Sequence, residues 1–177
     1  MPRKRTIADE VLLDHALLAL REVGPDGLTF GAVAQRAGLA ASTIVQRFGS
    51  KPALLRAALL RAWDRLDDDT AAAVAAAGRG AQGVIDLLVR LSGQYEAHDY
   101  ADQLRILRED LRDPVLTDRG RAWLAVLAEA IEARVPGVSG MLVLAQWQGT
   151  LTVWSFTREA PIEDMVRRHL REFLAAL

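Results

Sequence analysis

The 177-residue chain contains no cysteine, which excludes a disulfide framework and any thiolate metal site. No apolar run approaches the roughly 20 residues that cross a bilayer, and no signal-peptide core is seen near residue 1. Strand signals are almost absent, whereas apolar residues recur at three- and four-residue steps along the sequence. These observations predict an all-α, cytoplasmic protein without a membrane segment.

Patterns that carry catalysis are also missing. We find no His/Asp/Glu cluster at metal-ligand spacing, no Gly-rich phosphate loop and no Gly-x-Ser-x-Gly element. The adjacent carboxylates of Asp67, Asp68 and Asp69 point in different directions on a helix, which suits solvent better than a metal. We therefore expect no catalytic residue, no metal and no cofactor, and disfavour an enzyme.

The charge is unevenly distributed, although its formal sum is only −1. Residues 1–51 carry seven Lys/Arg against five Asp/Glu, while residues 52–177 carry fifteen against eighteen. A basic excess at one end is typical of a segment that binds phosphate. A membrane-surface or helix-binding adaptor is an alternative class, but the helices mix Arg with Asp/Glu and lack the basic bias of lipid-binding helices.

Helix breakers divide the sequence into about nine helices. The strongest are Gly24-Pro25-Asp26-Gly27, Gly38, Gly49-Ser50, Gly78-Arg79-Gly80, Asp113-Pro114, Pro136-Gly137 and Ala160-Pro161. Between them we predict helices over about 6–23, 30–37, 42–48, 51–77, 82–97, 99–111, 114–135, 139–157 and 161–177. We expect two domains, residues 1–51 and residues 52–177.

The most informative segment is Gly27–Lys51, with the sequence GLTFGAVAQRAGLAASTIVQRFGSK. It predicts two short helices joined by a tight turn, with Thr29 as an N-cap and Gly38 as a left-handed terminator. This is the layout of a helix-turn-helix, whose second helix enters the major groove of DNA. If Ile44 and Phe48 face inward, the outward face consists of Ser42, Thr43, Val45, Gln46 and Arg47. Gln binds adenine edges, and Arg binds guanine edges or phosphate.

Residues 12–55 resemble the DNA-binding head of the TetR family of bacterial transcriptional regulators. The matching runs are LLDHALLALREVG, LTFGAVAQRAG and STIVQRFGSKPALL. The resemblance implies double-stranded DNA as partner and a set of DNA contacts comprising Thr29, Ser42, Thr43, Val45, Gln46, Arg47 and Lys51. The basic tail Arg3-Lys4-Arg5 is suited to the DNA backbone or the minor groove.

Three positions depart from that family pattern. Val45 stands where a tyrosine is usual, Arg47 where a histidine or tyrosine is common, and Ala40 where a serine cap is expected. Loss of the tyrosine hydroxyl removes one phosphate contact, and loss of the cap weakens the recognition helix by about 1 kcal/mol. We expect Arg47 to restore a backbone contact with its full charge.

The resemblance also implies a C-terminal body that forms a homodimer and senses a ligand. The dimer face is predicted on the last two helices, at Leu144, Gln148, Leu151, Trp154, Ser155, Met165, His169 and Phe173. A pocket for a small, largely apolar effector is predicted among the middle helices, at Leu91, Tyr95, His98, Gln103, Leu107, Trp123, Leu127 and Trp147. Taken singly, each of these residues is also consistent with ordinary core packing.

The resemblance therefore implies a dimeric repressor that an effector releases from a pseudo-palindromic operator. A transcriptional activator and an effector-independent DNA-binding regulator are the alternatives.

Overall fold

The computed structural model describes residues 7–93 and 100–177 and confirms the all-α prediction within these ranges, which contain no strand. The nine helices found there are α1 (Asp9–Gly27), α2 (Phe30–Ala37), α3 (Ala41–Phe48), α4 (Lys51–Ala76), α5 (Gly80–Ser92), α6 (Tyr100–Arg112), α7 (Pro114–Glu132), α8 (Gly140–Thr157) and α9 (Ile162–Ala175).

The breaker after residue 23 interrupts the first helix where the sequence predicted its end, because Gly24 leaves the helical conformation at φ 71° and ψ 175°. A further turn from Pro25 to Gly27 follows this kink within the bounds of α1. A positive φ of this kind is available to glycine at little cost. Helix α5 ends at Ser92, earlier than expected. The rest of the helix predicted over 82–97 falls mostly on residues 94–99, outside the described part of the chain.

The chain forms two compact units that do not follow its order. The first comprises Met1–Arg65 and Leu104–Arg119, and the second comprises Leu66–Gln103 and Gly120–Leu177. The first unit extends beyond residue 51 because Leu54, Ala58 and Leu59 of α4 are buried in its core. The functional boundary between residues 51 and 52 stays a prediction.

The core of the first unit is assembled from the three N-terminal helices, the start of α4 and the start of α7. Its buried side chains are Leu12, Ala16, Leu17, Ala19, Leu20, Leu28, Val33, Ala34, Ile44, Leu54, Ala58, Leu59 and Leu116. Phe48 is partly buried against them, as the inward orientation of Ile44 and Phe48 requires. Each large aliphatic side chain buried here contributes about 1.5–3 kcal/mol, enough for a small head to hold its helices in register.

In the second unit, buried tryptophans have their indole N–H groups satisfied. Trp123 Nε1 donates to Thr70 Oγ1 at 2.9 Å, and Trp147 Nε1 donates to Ser92 Oγ at 2.8 Å. Thr70 and Ser92 are themselves buried polar residues. A buried donor without an acceptor would cost about 1–3 kcal/mol, so these pairs fix which way each indole is inserted.

Arg134, two residues after the end of α7, binds the C-terminal end of α4. Its guanidinium donates to the carbonyl oxygens of Val74 at 2.6 Å, Gly78 at 3.1 Å and Ala130 at 2.7 Å. The last carbonyls of a helix have no partner within the helix, and a cation there also interacts favourably with the helix dipole. Arg134 therefore caps α4 with a side chain from a distant part of the sequence.

Asp110 is a buried carboxylate in the first unit. It lies near the end of α6, where its Oδ1 accepts from Trp63 Nε1 at 3.2 Å. Burial raises the pKa of Asp110 from 3.8 to about 6; the Trp63 hydrogen bond opposes this shift and the neighbouring Glu109 adds to it. At neutral pH the folded protein therefore holds an ionised carboxylate at an energetic cost.

We expect Asp110→Asn to stabilise the protein at pH 7.5. The pKa is higher in the folded than in the unfolded state, so the destabilising contribution of Asp110 is absent below about pH 4 and complete above about pH 6. Asparagine keeps an acceptor for Trp63 and removes the charge, for an expected gain of about 1–2 kcal/mol once solvent screening is allowed for. Urea unfolding at pH 7.5 and pH 5 should show a larger gain at pH 7.5. An Asp110→Asn variant no more stable than wild type at pH 7.5, or no better than the exposed Asp68→Asn control, would contradict this.

Candidate nucleic-acid interface

The turn between α2 and α3 is fixed at both ends of α2. Thr29 is the N-cap, with its Oγ1 accepting from the backbone N–H of Ala32 at 3.1 Å. Gly38 ends the helix at φ 66°, and the N–H of Leu39 donates to the carbonyl of Ala34 at 2.9 Å. A left-handed residue with such backbone bonds is the usual helix terminator in this kind of turn. The sequence-based assignments of Thr29 and Gly38 are thus found in the structure.

Helix α3 presents a continuous exposed face. Ser42, Val45 and Gln46 are exposed, and Thr43 is half-buried, while Ile44 is completely buried. The face carries hydroxyl, aliphatic and amide groups, which suit base edges and thymine methyl groups in a major groove. The structure therefore brings together four of the predicted contact residues on the outside of one helix.

The N-terminus of α3 lacks a side-chain cap. Ala40 occupies the N-cap position in extended conformation and makes no side-chain hydrogen bond. Because the first amides of a helix have no partner within the helix, the first turn of α3 has amides without a side-chain acceptor.

We expect Ala40→Ser to stabilise the head by about 0.5–1 kcal/mol, because a serine hydroxyl at an N-cap accepts from the exposed amides of the first turn. Urea unfolding followed by circular dichroism measures the gain. Ala41→Ser, one residue into the same helix and equally exposed, is the matched control and should not stabilise. Equal effects of the two serines would show that capping is not the cause.

Arg47 is oriented toward α1. Its Nη1 donates to the carbonyl oxygen of Ile7 at 2.6 Å and to Asp9 Oδ1 at 2.7 Å. The side chain is only 25% exposed, whereas that of Asp9 is 62% exposed. The prediction that Arg47 contacts DNA directly is not favoured by this geometry, because its charge is already paired within the head.

Lys51 lies at the start of α4, as the sequence predicted, and its Nζ donates to the carbonyl oxygen of Asp26 at 2.6 Å. This bond fixes the side chain against the last turn of α1. An ammonium group has three N–H donors, so one carbonyl leaves capacity for a phosphate oxygen. A phosphate contact by Lys51 stays a prediction compatible with the observed position.

The predicted pocket residues are distributed over different environments. Leu91, Trp123, Leu127 and Trp147 are buried within the second unit, whereas Leu107 is 48% exposed and belongs to the first. Gln103 is half-buried. Tyr95 and His98 lie outside the described residues. Leu91 also lines an open cleft of about 290 Å³ together with Asp69, Ala72 and Arg90. Asp69 and Arg90 give this cleft a partly charged lining, whereas an apolar lining was expected.

The residues of the predicted dimer stripe are mostly buried within the single chain, and their role in a dimer stays a prediction. Leu144, Leu151, Trp154 and Met165 are 0–8% exposed within the single chain, so these side chains have almost no surface to offer a partner. Gln148, Ser155, His169 and Phe173 are half-buried. The large side chains of the stripe fill the core of the second unit itself.

The opposite face of α8 is exposed and uncharged. None of the residues of α8, Gly140–Thr157, is charged. Its exposed large apolar side chains are Met141, Leu142, Val153 and Phe156, the last 87% exposed, and Ala145, Gly149 and Thr152 are exposed between them. A helix that is apolar all round is normally buried on all sides, so this outer face of α8 is the surface that a partner would cover.

Sequence reasoning missed the partners that fix these side chains. Ile7 and Asp9 lie 38–40 residues before Arg47, and Asp26 lies 25 residues before Lys51. No local spacing signals such pairs.

Within 7–93 and 100–177, no group of three or more His, Asp or Glu side chains is arranged to hold a metal ion. No helix in those ranges has the length and apolarity to span a membrane.

Comparison with known proteins identifies relatives of both the head and the whole fold. Residues 12–58 match the family model described as bacterial regulatory proteins of the tetR family. No curated protein sequence matches the chain.

Solved structures match over nearly the full length. A protein of unknown function from Rhodococcus sp. RHA1 is 22% identical at a TM-score of 0.78, over 100% of this chain and 99% of that one. The regulator FadR from Bacillus subtilis, in complex with stearoyl-CoA, is 13% identical at a TM-score of 0.70, over 96% of this chain and 100% of that one. The ketosteroid transcriptional regulator KstR2 of Mycobacterium tuberculosis is 17% identical at a TM-score of 0.63, over 97% of this chain and 96% of that one. These TM-scores establish a shared fold.

Proposed function

We propose that the chain is a member of the tetR family of bacterial regulatory proteins, whose model its residues 12–58 match, and that it is a homodimeric cytoplasmic repressor, released from its operator by a small apolar effector. The matched family model and two of the solved structures, FadR and KstR2, are those of transcriptional regulators, so we infer that this chain is not an enzyme. The observation that carries the proposal is the exposed face of α3, held on a head whose turn is fixed by Thr29 and Gly38.

Recognition is assigned to the side chains on that face. Gln46 is exposed and has the amide that pairs with the N6 and N7 atoms of adenine. Ser42 and Val45 flank it and are suited to a base edge and a thymine methyl group. Lys51 and the amides at the start of α2, beside Thr29, are positioned for phosphate oxygens. Phosphate contacts supply affinity, and Gln46 supplies sequence discrimination.

Dimerisation is assigned to the outer face of α8. A two-fold axis through this face brings the same uncharged residues together from both protomers, which is the self-complementary arrangement of most homodimers. It would remove Phe156 and its apolar neighbours from water. A dimer places two copies of α3 about 34–36 Å apart, one turn of DNA, so the operator is expected to be a pseudo-palindrome.

The effector is assigned to the second unit on the basis of its relatives. FadR was solved with stearoyl-CoA, and KstR2 is a ketosteroid regulator, so both names point to ligands with large apolar parts. The buried Leu91, Trp123, Leu127 and Trp147 supply the apolar and aromatic surface that such a ligand needs. An effector that favours a different separation of the two heads lowers operator affinity by a coupling free energy of about 1–3 kcal/mol.

Selection of DNA by the purified protein tests the proposal. Wild-type protein is mixed with a library of random 30-bp duplexes, bound DNA is amplified over several rounds, and the enriched sequence is read. We expect a pseudo-palindrome with half-sites about 10 bp apart, bound with a steep inverse dependence on salt. Gln46→Ala should alter the preferred base at one position of each half-site, while Lys51→Ala should weaken all sequences alike. No enriched sequence at moderate salt would overturn the proposal.

Release is tested separately with stearoyl-CoA as the probe, added to the complex with the selected duplex. Dissociation at micromolar probe supports the repressor assignment. Unchanged binding with stearoyl-CoA and with a ketosteroid would favour an effector-independent regulator.

A further inference from the structure

The recognition helix α3 contains a single charged residue, Arg47, beside an uncharged exposed face. Ser42, Val45 and Gln46 are exposed, and their spacing of three and four residues places them on the same side of the helix. Arg47 follows Gln46, about 100° further around the helix, at the edge of that face. A guanidinium is thus attached next to the groups that we assign to base recognition.

Asp9, in the first turn of α1, pairs with this guanidinium. Arg47 Nη1 donates to Asp9 Oδ1 at 2.7 Å and to the carbonyl oxygen of Ile7 at 2.6 Å. Both hydrogen bonds are short, as is usual when the donor is charged. The side chain of Arg47 is three-quarters buried in this position. The charge on α3 is therefore neutralised by a residue that lies outside the recognition helix.

The pairing opposes the contact that an arginine on a recognition helix usually makes. A guanidinium reads guanine by donating two hydrogen bonds, to the O6 and N7 atoms of the base. In this protein such a contact would replace the two hydrogen bonds to Ile7 and Asp9, so their number would not rise. It would also leave the carboxylate of Asp9 unneutralised close to a polyanion. Guanine readout by Arg47 is therefore disfavoured while Asp9 is present.

From this arrangement we infer that Asp9 is a positioning residue that sets base specificity, because it withholds Arg47 from guanine. The inference rests on the proposed DNA-binding function and extends it to a residue outside the recognition helix. With Arg47 withheld, α3 presents the amide of Gln46 and the methyl groups of Val45, which suit adenine and thymine. Loss of Asp9 should add a guanine to the preferred half-site.

Parallel selections from the library of random 30-bp duplexes test the inference. The four full-length proteins are wild type, Asp9→Ala, Arg47→Ala and the double variant Asp9→Ala/Arg47→Ala. We expect wild type and Arg47→Ala to enrich the same half-site, and Asp9→Ala alone to enrich a guanine at one further position. A guanine that wild type requires and Arg47→Ala loses would overturn the inference. So would an Asp9→Ala selection identical to that of wild type, or a new guanine that the double variant retains.

A base analogue tests which atoms make the new contact. Fluorescence anisotropy compares the duplex selected by Asp9→Ala with the same duplex carrying 7-deazaguanine, which lacks the N7 acceptor, at the new position. We expect the analogue to weaken binding by Asp9→Ala about fivefold or more and to leave binding by wild type unchanged. An equal loss for both proteins would overturn the inference, because the contact would then not depend on the release of Arg47.

Glu10→Ala is the matched control, since it removes one carboxylate from the same first turn of α1. Loss of a negative charge from the head can strengthen binding to all DNA sequences alike. Only Asp9→Ala should also change the preferred base, because Asp9 accepts the hydrogen bond from Arg47. The same new guanine in the Glu10→Ala selection would reveal a general charge effect and would overturn the inference.

The Arg47→Ala selection keeps the inference testable should Asp9→Ala fold poorly. It leaves Asp9 in place and measures whether wild type uses Arg47 on a base. A failure of wild type to enrich any sequence would reject the proposed function. Normal enrichment by wild type, with a guanine that depends on Arg47, would reject the role of Asp9 alone.

Discussion

A Gly149→Arg variant will be monomeric at micromolar concentration and will bind the selected duplex at least about 100-fold more weakly than wild type. Gly149 lies near the middle of the outer face of α8, and no atom lies within 4 Å of a Cβ built there. An arginine is therefore accommodated by the protomer, where it also has a higher helix propensity than glycine. In the dimer, two-fold symmetry would bury two unpaired charges near each other, which costs several kcal/mol.

Sedimentation equilibrium measures the monomer–dimer constant, and anisotropy on the selected duplex measures the loss of DNA affinity. Ala75→Arg is the matched control, since it adds the same charge at an exposed alanine near the end of α4. The control should remain dimeric. If Gly149→Arg dimerised like the control, the outer face of α8 would not be the dimer surface. A soluble monomer with unchanged helix content would show that the effect lies in assembly.

Gly140→Ala is expected to lower the free energy of unfolding by about 3 kcal/mol. Gly140 is the first residue of α8, and its N–H donates to Glu132 Oε1 at 2.8 Å. A Cβ there would overlap the backbone carbonyl of Ala128 in α7. Backbone within a helix yields less readily than a flexible side chain, so α8 must move away from α7. The movement would loosen the buried Val143 and Leu144 in the next turn.

Urea denaturation and calorimetry test this expectation, with a fall in Tm of roughly 6–12 °C for a chain of this size. Gly31→Ala is the contrasting control, because the nearest atom to a Cβ at that helical glycine is Thr29 Oγ1 at an ordinary 3.9 Å. It should stabilise by about 0.5–1 kcal/mol. Equal destabilisation by the two alanines would point to a general intolerance of glycine replacement and would contradict the steric argument.

The features that the sequence predicted well are those with local causes. Thr29 and Gly38 act through hydrogen bonds within four residues, so their roles at the ends of α2 were recognisable from spacing alone. The inward orientation of Ile44 follows from the periodicity of a short helix between two glycines. The helix count and the helix-turn-helix layout rest on the same kind of signal.

The features that the sequence did not predict depend on residues far away in the sequence, or lie on a helix whose faces are equally apolar. Arg47 was expected to face DNA, because no residue near it in the sequence indicates that Ile7 and Asp9 accept its hydrogen bonds. Helix α8 has apolar residues on all sides, so periodicity does not distinguish its inner face from its outer face. Packing decides between them: the bulky Trp147 and Trp154 fill the interior, and Phe156 is left outside.

The cap that Arg134 places on α4 makes two distant stretches of the chain interdependent during folding. The carbonyls of Val74 and Gly78 accept hydrogen bonds from a side chain 56–60 residues later in the sequence. During synthesis, the end of α4 leaves the ribosome well before Arg134 does, so its last turn must fray until α7 is complete. In the finished protein the two stretches should open together, and amides there should exchange with solvent as one cooperative unit.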